Sequence, residues 1–160
     1  MTTQMTDPMN AFVSFQQALA AGHIAPQKGE IHSDLLVLHD QPNGEVRLTY
    51  ALAKNNEVVA SATFIPADPM DGYPCFNAGY AVDAAKRSKG YGKEVVRKAF
   101  DEMTKGFKRA GIPRLYVEAI VSIENEHSKM LASRLFSAKP DAITDCVSGL
   151  PALHYVRQLF

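Results

Sequence analysis

No stretch of this 160-residue chain is apolar for long enough to span a bilayer, and its first residues lack the basic start and apolar centre of a secretory leader. Net charge is also missing: 17 Lys and Arg balance 17 Asp and Glu, which argues against bulk binding to nucleic acid or to a membrane surface. Only two cysteines occur, Cys75 and Cys146, far apart and without metal-ligand spacing to the five histidines. Neither a disulfide nor a metal site is expected, each thiol reads as buried, and the default compartment is the cytoplasm. Internal repeats and low-complexity segments are absent too. What remains, 46% hydrophobic residues, suffices for the core of one globular domain.

Against this neutral background, cations gather in one place. Lys86-Arg87-Ser88-Lys89-Gly90-Tyr91-Gly92-Lys93 follows an apolar, strand-like run from Phe76 to Val82 and opens a helical pattern that reaches about Ala110. Within this stretch Lys86, Arg87, Lys89, Lys93, Arg97 and Lys98 face only Glu94. The first turn of a helix has N–H groups without internal partners and a partly positive end. Glycines beside it let backbone approach a phosphate closely. The order strand, basic glycine turn, helix therefore predicts a phosphate seat. The spacing is not that of a P-loop, and Val95 stands where a dinucleotide fingerprint needs a small residue.

Residues 1–9 are polar and aperiodic and are expected to be frayed; residues 10–160 read as a single domain. Asn10 is placed as the cap of a helix from Ala11 to Ala21 that Gly22 ends, and a loop follows around Pro26 and Gly29. Leu35 to Leu38, Val46 to Ala53 and Val58 to Ile65 read as an antiparallel meander, turned by Asn43-Gly44 and Asn55-Asn56. Pro66 to Pro74 is expected to be a loop, because its prolines remove donors from any ladder. Along the long helix Val95, Val96, Ala99, Phe100, Met103 and Phe107 form a core stripe. Leu115 to Val121 follows as a strand parallel to the Phe76–Val82 run. Asn125 to Ser137 is a second helix with Met130, Leu131 and Leu135 or Phe136 inward, and Ala142 to Val147 pairs with Ala152 to Leu159 as a closing hairpin. The whole is an α/β layer with a mixed sheet.

Arg87-x-x-Gly90-x-Gly92 between a strand and a long helix resembles the [QR]-x-x-G-x-[GA] motif of the GNAT superfamily of N-acetyltransferases, and the order of elements is similar from about Val58 to Phe160. Before Val58 the resemblance is poor. The family pattern has a strand and two helices there; this chain shows one helix and an extra strand. The resemblance implies a mostly antiparallel sheet with one splayed parallel pair, flanked by helices. It further implies acetyl-CoA as cosubstrate, with backbone of Tyr80, Ala81 and Val82 pairing with the pantetheine arm. N–H groups of Arg87, Ser88, Lys89, Gly90, Tyr91, Gly92 and Lys93 would take the pyrophosphate, and Asn125 would contact the arm. Many members carry a tyrosine acid seven residues after that asparagine, where this chain has Ala132. A ribosomal-protein-acetyltransferase-like subgroup has a serine three residues after it, which Ser128 matches. The glutamate common on the strand before the glycine turn is missing. Glu118, on the strand after the long helix, and His127 are the candidate bases, a water chain to backbone carbonyls is a further route, and Asp68, Asp71 and Tyr73 of the proline-rich loop are expected to line the acceptor site. Implied partners are a primary amine of unidentified parentage and a second copy in a homodimer, with no nucleic acid, membrane or metal. Two alternatives stay open: a catalytically silent acyl-CoA-binding or regulatory module, and a nucleotide-binding domain of another family.

Overall fold

The computed structural model describes residues 7–160. In chain order the elements are α1 (Pro8–Ala20), β1 (Gln27–Lys28), β2 (Leu35–Asp40), β3 (Arg47–Lys54), β4 (Glu57–Met70), β5 (Tyr73–Val82), α2 (Tyr91–Arg109), β6 (Tyr116–Ser122), α3 (Glu126–Leu135), β7 (Asp141–Thr144) and β8 (Pro151–Gln158). The strands form one sheet in the order β1-β2-β3-β4-β5-β6-β8-β7. Every neighbouring pair is antiparallel except β5 and β6. This is the mixed, mostly antiparallel α/β sheet expected from the sequence.

Side-chain alternation along the strands assigns the two faces. Phe76, Ala78, Val117, Ala119, Val121 and Tyr155 share a core with Val95, Val96, Ala99, Phe100 and Met103 of α2 and Ala132, Leu135 of α3. On the opposite face Phe12 and Phe15 of α1 pack on Ala51, Val58 and Ala81. The turns follow their residues: Asn55 and Asn56 both adopt positive φ between β3 and β4, as a tight hairpin requires. Gly111, φ 85°, ends α2 with its N–H donating to the Lys108 carbonyl.

Several sequence-based expectations are corrected. Residues 1–6 of the stretch expected to be frayed lie outside the described residues, but Pro8 and Met9 are helical. Asp7, not Asn10, caps α1, its carboxylate accepting from the Met9 N–H at 2.8 Å with Pro8 in the first turn. A two-residue strand, β1, stands in the expected loop. Most consequentially, Pro66 to Pro74 is not a loop. β4 and β5 continue as a hairpin closed by Asp71 (φ 51°) and Gly72 (φ 80°). The prolines are tolerated because β3 pairs with β4 only as far as Leu48↔Phe64, so β4 is an edge beyond that point. A register shift between Ala67 and Met70 absorbs Asp68-Pro69. Met130 is 53% exposed rather than inward. Cys75 is buried as expected, but Cys146 is exposed.

Phe64 couples the sheet to the long helix: it is fully buried and its ring lies 5.8 Å from Tyr50 and 6.2 Å from Phe100. Phe64→Ala is expected to cost about 3–5 kcal/mol, read from urea unfolding; a loss below about 1 kcal/mol would show that the site collapses around the gap.

Candidate active site

The parallel ladder between β5 and β6 holds only Cys75↔Tyr116, Phe76↔Val117 and Asn77↔Glu118. Beyond Asn77, β5 stays paired with β4 up to Val82↔Ala60. Beyond Glu118, β6 stays paired with β8 up to Ser122↔Ala152. Each strand is thus held on its outer side while their facing edges part. A cleft of about 1430 Å³ occupies the fork, lined by both strands, the glycine turn, the start of α3 and the β7–β8 loop.

At one end lies the glycine turn. Asp83 accepts from Ala85 N–H at 2.9 Å and starts a short helical turn, Ala84–Lys86, before the chain extends at Arg87. Ser88 (φ 64°) and Gly90 (φ 79°) are left-handed, and Gly90 opens α2. Among the described residues, the N–H groups of Arg87 to Lys93 donate to no protein acceptor; the first bond of the helix is Glu94 N–H to the Gly90 carbonyl at 3.0 Å. The two glycines serve different ends. A Cβ on Gly90 would meet nothing, so only its backbone conformation demands glycine; a Cβ on Gly92 would come within 3.3 Å of Val82 and 3.5 Å of Leu131. Gly92 therefore seats α2 against β5 and α3 rather than only exposing backbone. Some of the expected free charge is spoken for. Lys98 pairs with Asp34 and Glu94 at 2.6 and 2.8 Å, and Lys86 lies 3.6 Å from Glu57. Arg87, Ser88, Gly90, Tyr91, Gly92 and Lys93 line the cleft; Lys89 does not.

The wall opposite belongs to α3. Asn125 caps it, its side-chain oxygen accepting from the Ser128 N–H at 3.1 Å. The Tyr80 hydroxyl donates to the Ser128 carbonyl at 3.3 Å, binding β5 to α3, and burial pushes the Tyr80 phenol up to about 12. With its N–H and carbonyl so engaged, Ser128 keeps its own hydroxyl without a hydrogen bond among the described residues. Ala132, where many such proteins have tyrosine, is fully buried. Tyr80, Ala81, Val82, Asn125 and Ser128 all border the cleft.

Glu118 lies at the fork, 8% exposed, on the α1 side of the sheet. Its carboxylate accepts from His154 Nε2 at 3.0 Å, Asn77 Nδ2 at 3.4 Å and Cys75 Sγ at 3.6 Å. Burial works against the charged carboxylate, but these partners, His154 foremost, hold its pKa below the usual value. The hydrogen bond to Glu118 raises His154; burial, with Glu118 beside it, pushes the Cys75 thiol up to about 12. His154 was not singled out from the sequence. Its alternation with the inward Leu153 and Tyr155 marks a strand, but only the β6–β8 register, Glu118↔Val156 beside Ile120↔His154, brings it to Glu118. His127 also borders the cleft, whereas Asp71 accepts from the Tyr116 hydroxyl at 3.3 Å away from it.

A sheet forked at a parallel pair, with a turn of unengaged N–H groups at one end of the fork, defines the class of fold to which this chain belongs. The family model of the GNAT acetyltransferases matches residues 15–135, and the chain belongs to that family. Among solved structures it is similar to the ribosomal L7/L12 alpha-N-protein acetyltransferase RimL in complex with coenzyme A, at 17% identity and a TM-score of 0.53, covering 69% of this chain and 61% of that one. An N-acetyltransferase from Staphylococcus aureus Mu50 gives 22% identity and 0.53, covering 71% and 68%. An acetyltransferase of the GNAT family from Streptococcus pneumoniae gives 10% and 0.54, covering 97% and 96%. These identities establish a shared fold. The chain spans less than two thirds of the RimL structure it matches. Comparison with curated protein sequences gives no match.

The Glu118–His154 pair predicts a pH signature in stability. Glu118, lowered on folding, contributes above its unfolded value and loses that contribution as pH falls through its folded one. His154, raised on folding, contributes fully below its unfolded value and loses it as pH rises through its folded one. The stability gap between wild type and His154→Gln should be widest between the two folded values and narrow on either side. Urea unfolding across that range measures it, and a gap independent of pH would show that the folded pair is not ionic.

Proposed function

We propose that this protein is an acetyl-CoA-dependent N-acetyltransferase, acting in the cytoplasm as one domain that begins with the cap of α1 at Asp7, and that it passes the acetyl group directly to a primary amine. One observation carries the reading: two open strand edges face each other and lead to a turn of unengaged N–H groups. Pantetheine amides add to the β5 edge at Tyr80, Ala81 and Val82 as a further strand would. The N–H groups from Arg87 to Lys93 take the pyrophosphate, Arg87, Lys89 and Lys93 add charge, and Asn125 meets the arm. The amine nitrogen attacks the thioester carbonyl carbon, whose oxygen is polarised by N–H groups of the same edge. The C–S bond breaks and the departing sulfur takes the Ser128 hydroxyl proton, which solvent restores. Solved neighbours named for acetylating ribosomal proteins support an amine acceptor and no finer identity.

A silent acyl-CoA-binding module is the rival, favoured by the absence of any hydroxyl at the buried Ala132. Free-thiol release from acetyl-CoA over a panel of amines separates the two, since the module would bind tightly and release none. CoA at a hundred times its Kd should stabilise the fold by about 2.7 kcal/mol, and ATP or NAD should not. Gly90→Val, strained by about 1–2 kcal/mol in its left-handed conformation, should lose CoA binding yet stay folded. Gly92→Val should lose both binding and stability, because it also pushes on Val82 and Leu131. Wild-type CoA affinity in Gly90→Val would remove the phosphate-turn assignment. Ser128→Ala should slow transfer more than it weakens CoA binding, and equal losses would reduce Ser128 to a helix-cap position.

A further inference from the structure

The mechanism above leaves the protons of the amine nitrogen without a destination: an ammonium must lose one before it can attack, and the nitrogen another once it has bonded to carbon. Glu118 is poorly suited to take it. Both of its oxygens are occupied, by Cys75 on one and by Asn77 and His154 on the other, and its side chain is only 10% exposed. The imidazole it holds is better placed. His154 gives Nε2 to Glu118, its side chain is 22% exposed, it borders the same cleft as Tyr80 and Ser128, and Nδ1 has no partner among the described residues. We propose that His154 Nδ1 is the proton acceptor for the attacking amine and that Glu118 is the positioning residue that fixes the ring and its tautomer. This rests on the acetyl-transfer reading.

The chemistry balances in two proton losses from nitrogen. The ammonium first gives one proton to the Nδ1 lone pair, and the imidazolium passes it to water. The neutral nitrogen then bonds to the carbonyl carbon, again carries one proton too many, and loses it by the same route as the C–S bond breaks and the sulfur takes the Ser128 proton. Glu118 holds Nε2–H to itself, which leaves the Nδ1 lone pair without a protein partner among the described residues, and it stabilises the imidazolium that forms. The charged groups facing His154 are Glu118 on β6 and Asp141 on β7, with Asp68 of the β4–β5 hairpin lying beyond, near Cys75. Both facing carboxylates favour the charged ring, so the base form gains population above the ordinary imidazole value of 6.5. Position fits as well. Glu118, Asn77, Cys75 and His154 occupy the α1 face, whereas Ser128 belongs to α3 on the other. The base and the acid thus flank the fork from opposite sides.

The test uses the full chain, acetyl-CoA and two small probe amines: methylamine, almost wholly ammonium at neutral pH, and hydroxylamine, largely unprotonated there. Thiol release is followed against pH for wild type, His154→Gln and Glu118→Gln, with CoA affinity measured alongside. In His154→Gln, kcat with methylamine should fall by about 100-fold or more, hydroxylamine should suffer less, CoA affinity should hold, and the rising limb of the pH profile should vanish. In Glu118→Gln that limb should move to lower pH. Independently of any variant, nitrogen NMR of the wild type should show His154 titrating above 6.5, with the neutral ring protonated on Nε2. A ring protonated on Nδ1, equal losses with both amines, or an unchanged profile overturns the assignment. So does a wild type that binds CoA yet releases thiol from neither amine faster than buffer. Failure of the wild type to bind CoA overturns the acetyl-transfer reading itself, and this assignment with it.

Discussion

The site exists because a parallel ladder stops early. Cys75↔Tyr116, Phe76↔Val117 and Asn77↔Glu118 join two halves of the sheet that are otherwise complete, β1 to β5 on one side and β6, β8, β7 on the other. Strand edges with unpaired N–H and carbonyl groups are costly to bury and normally invite pairing. Here they are kept apart by what grips each strand from behind. The upper part of β5 is held by β4, by the Tyr80 hydroxyl on α3, and by Val82 packed under Gly92 beside Leu131. The upper part of β6 is held by β8. Closing the fork would mean breaking one of these grips, so the groups at its edges remain for solvent or a ligand to satisfy.

The same geometry sorts the charges. Six cations cluster in sequence near the glycine turn, but folding brings carboxylates from distant segments to some of them. Lys98 and Lys54 share Asp34 and Glu94, a group that ties α2 to β3 and to the start of the β2 segment. Each partner stabilises the other's charge, lowering Asp34 and Glu94 and raising Lys54 and Lys98. Half-exposed ion pairs are individually worth little. Their effect is on position: they fix the first turns of α2, so that Arg87 and Lys93 are left at the cleft while their neighbours serve as struts.

What could be read from the chain alone divides along the range of the interactions involved. Gly90, Asn55-Asn56 and Gly111 act through their own backbone, and the α2 stripe through its own periodicity, so helices, turns and the parallel crossover were legible. The Pro66–Pro74 segment was misread because proline excludes a strand only where a ladder partner stands on its donor side, and β3 ends before that point. The Asp71-Gly72 pair was the local signal that a hairpin continued there. Residue type places Met130 and Cys146 in the interior, yet Met130 borders the cleft half exposed and Cys146 lies in the β7–β8 loop. His154 was invisible for a different reason. Its meaning comes from a partner 36 residues away across a strand register that no local pattern encodes.

Strand alternation carries a mechanistic consequence under the acetyl-transfer reading. Odd and even positions of β5 face opposite sides of the sheet, so a thioester lying along that edge would have Ser128 of α3 on one side and His154 on the other. The α1 side is bounded by Asp7, Pro8 and Met9, by Pro66 to Met70 of the extended hairpin, and by Ile143 to Val147. None of these segments contributes to the phosphate turn or to the three-pair ladder. They can change length and composition while the fork, and whatever the fork holds, stays the same. Under that reading, choice among amines is a property of the sheet's margins, and His154, held at the fork by Glu118, is the fixed point against which those margins position a substrate.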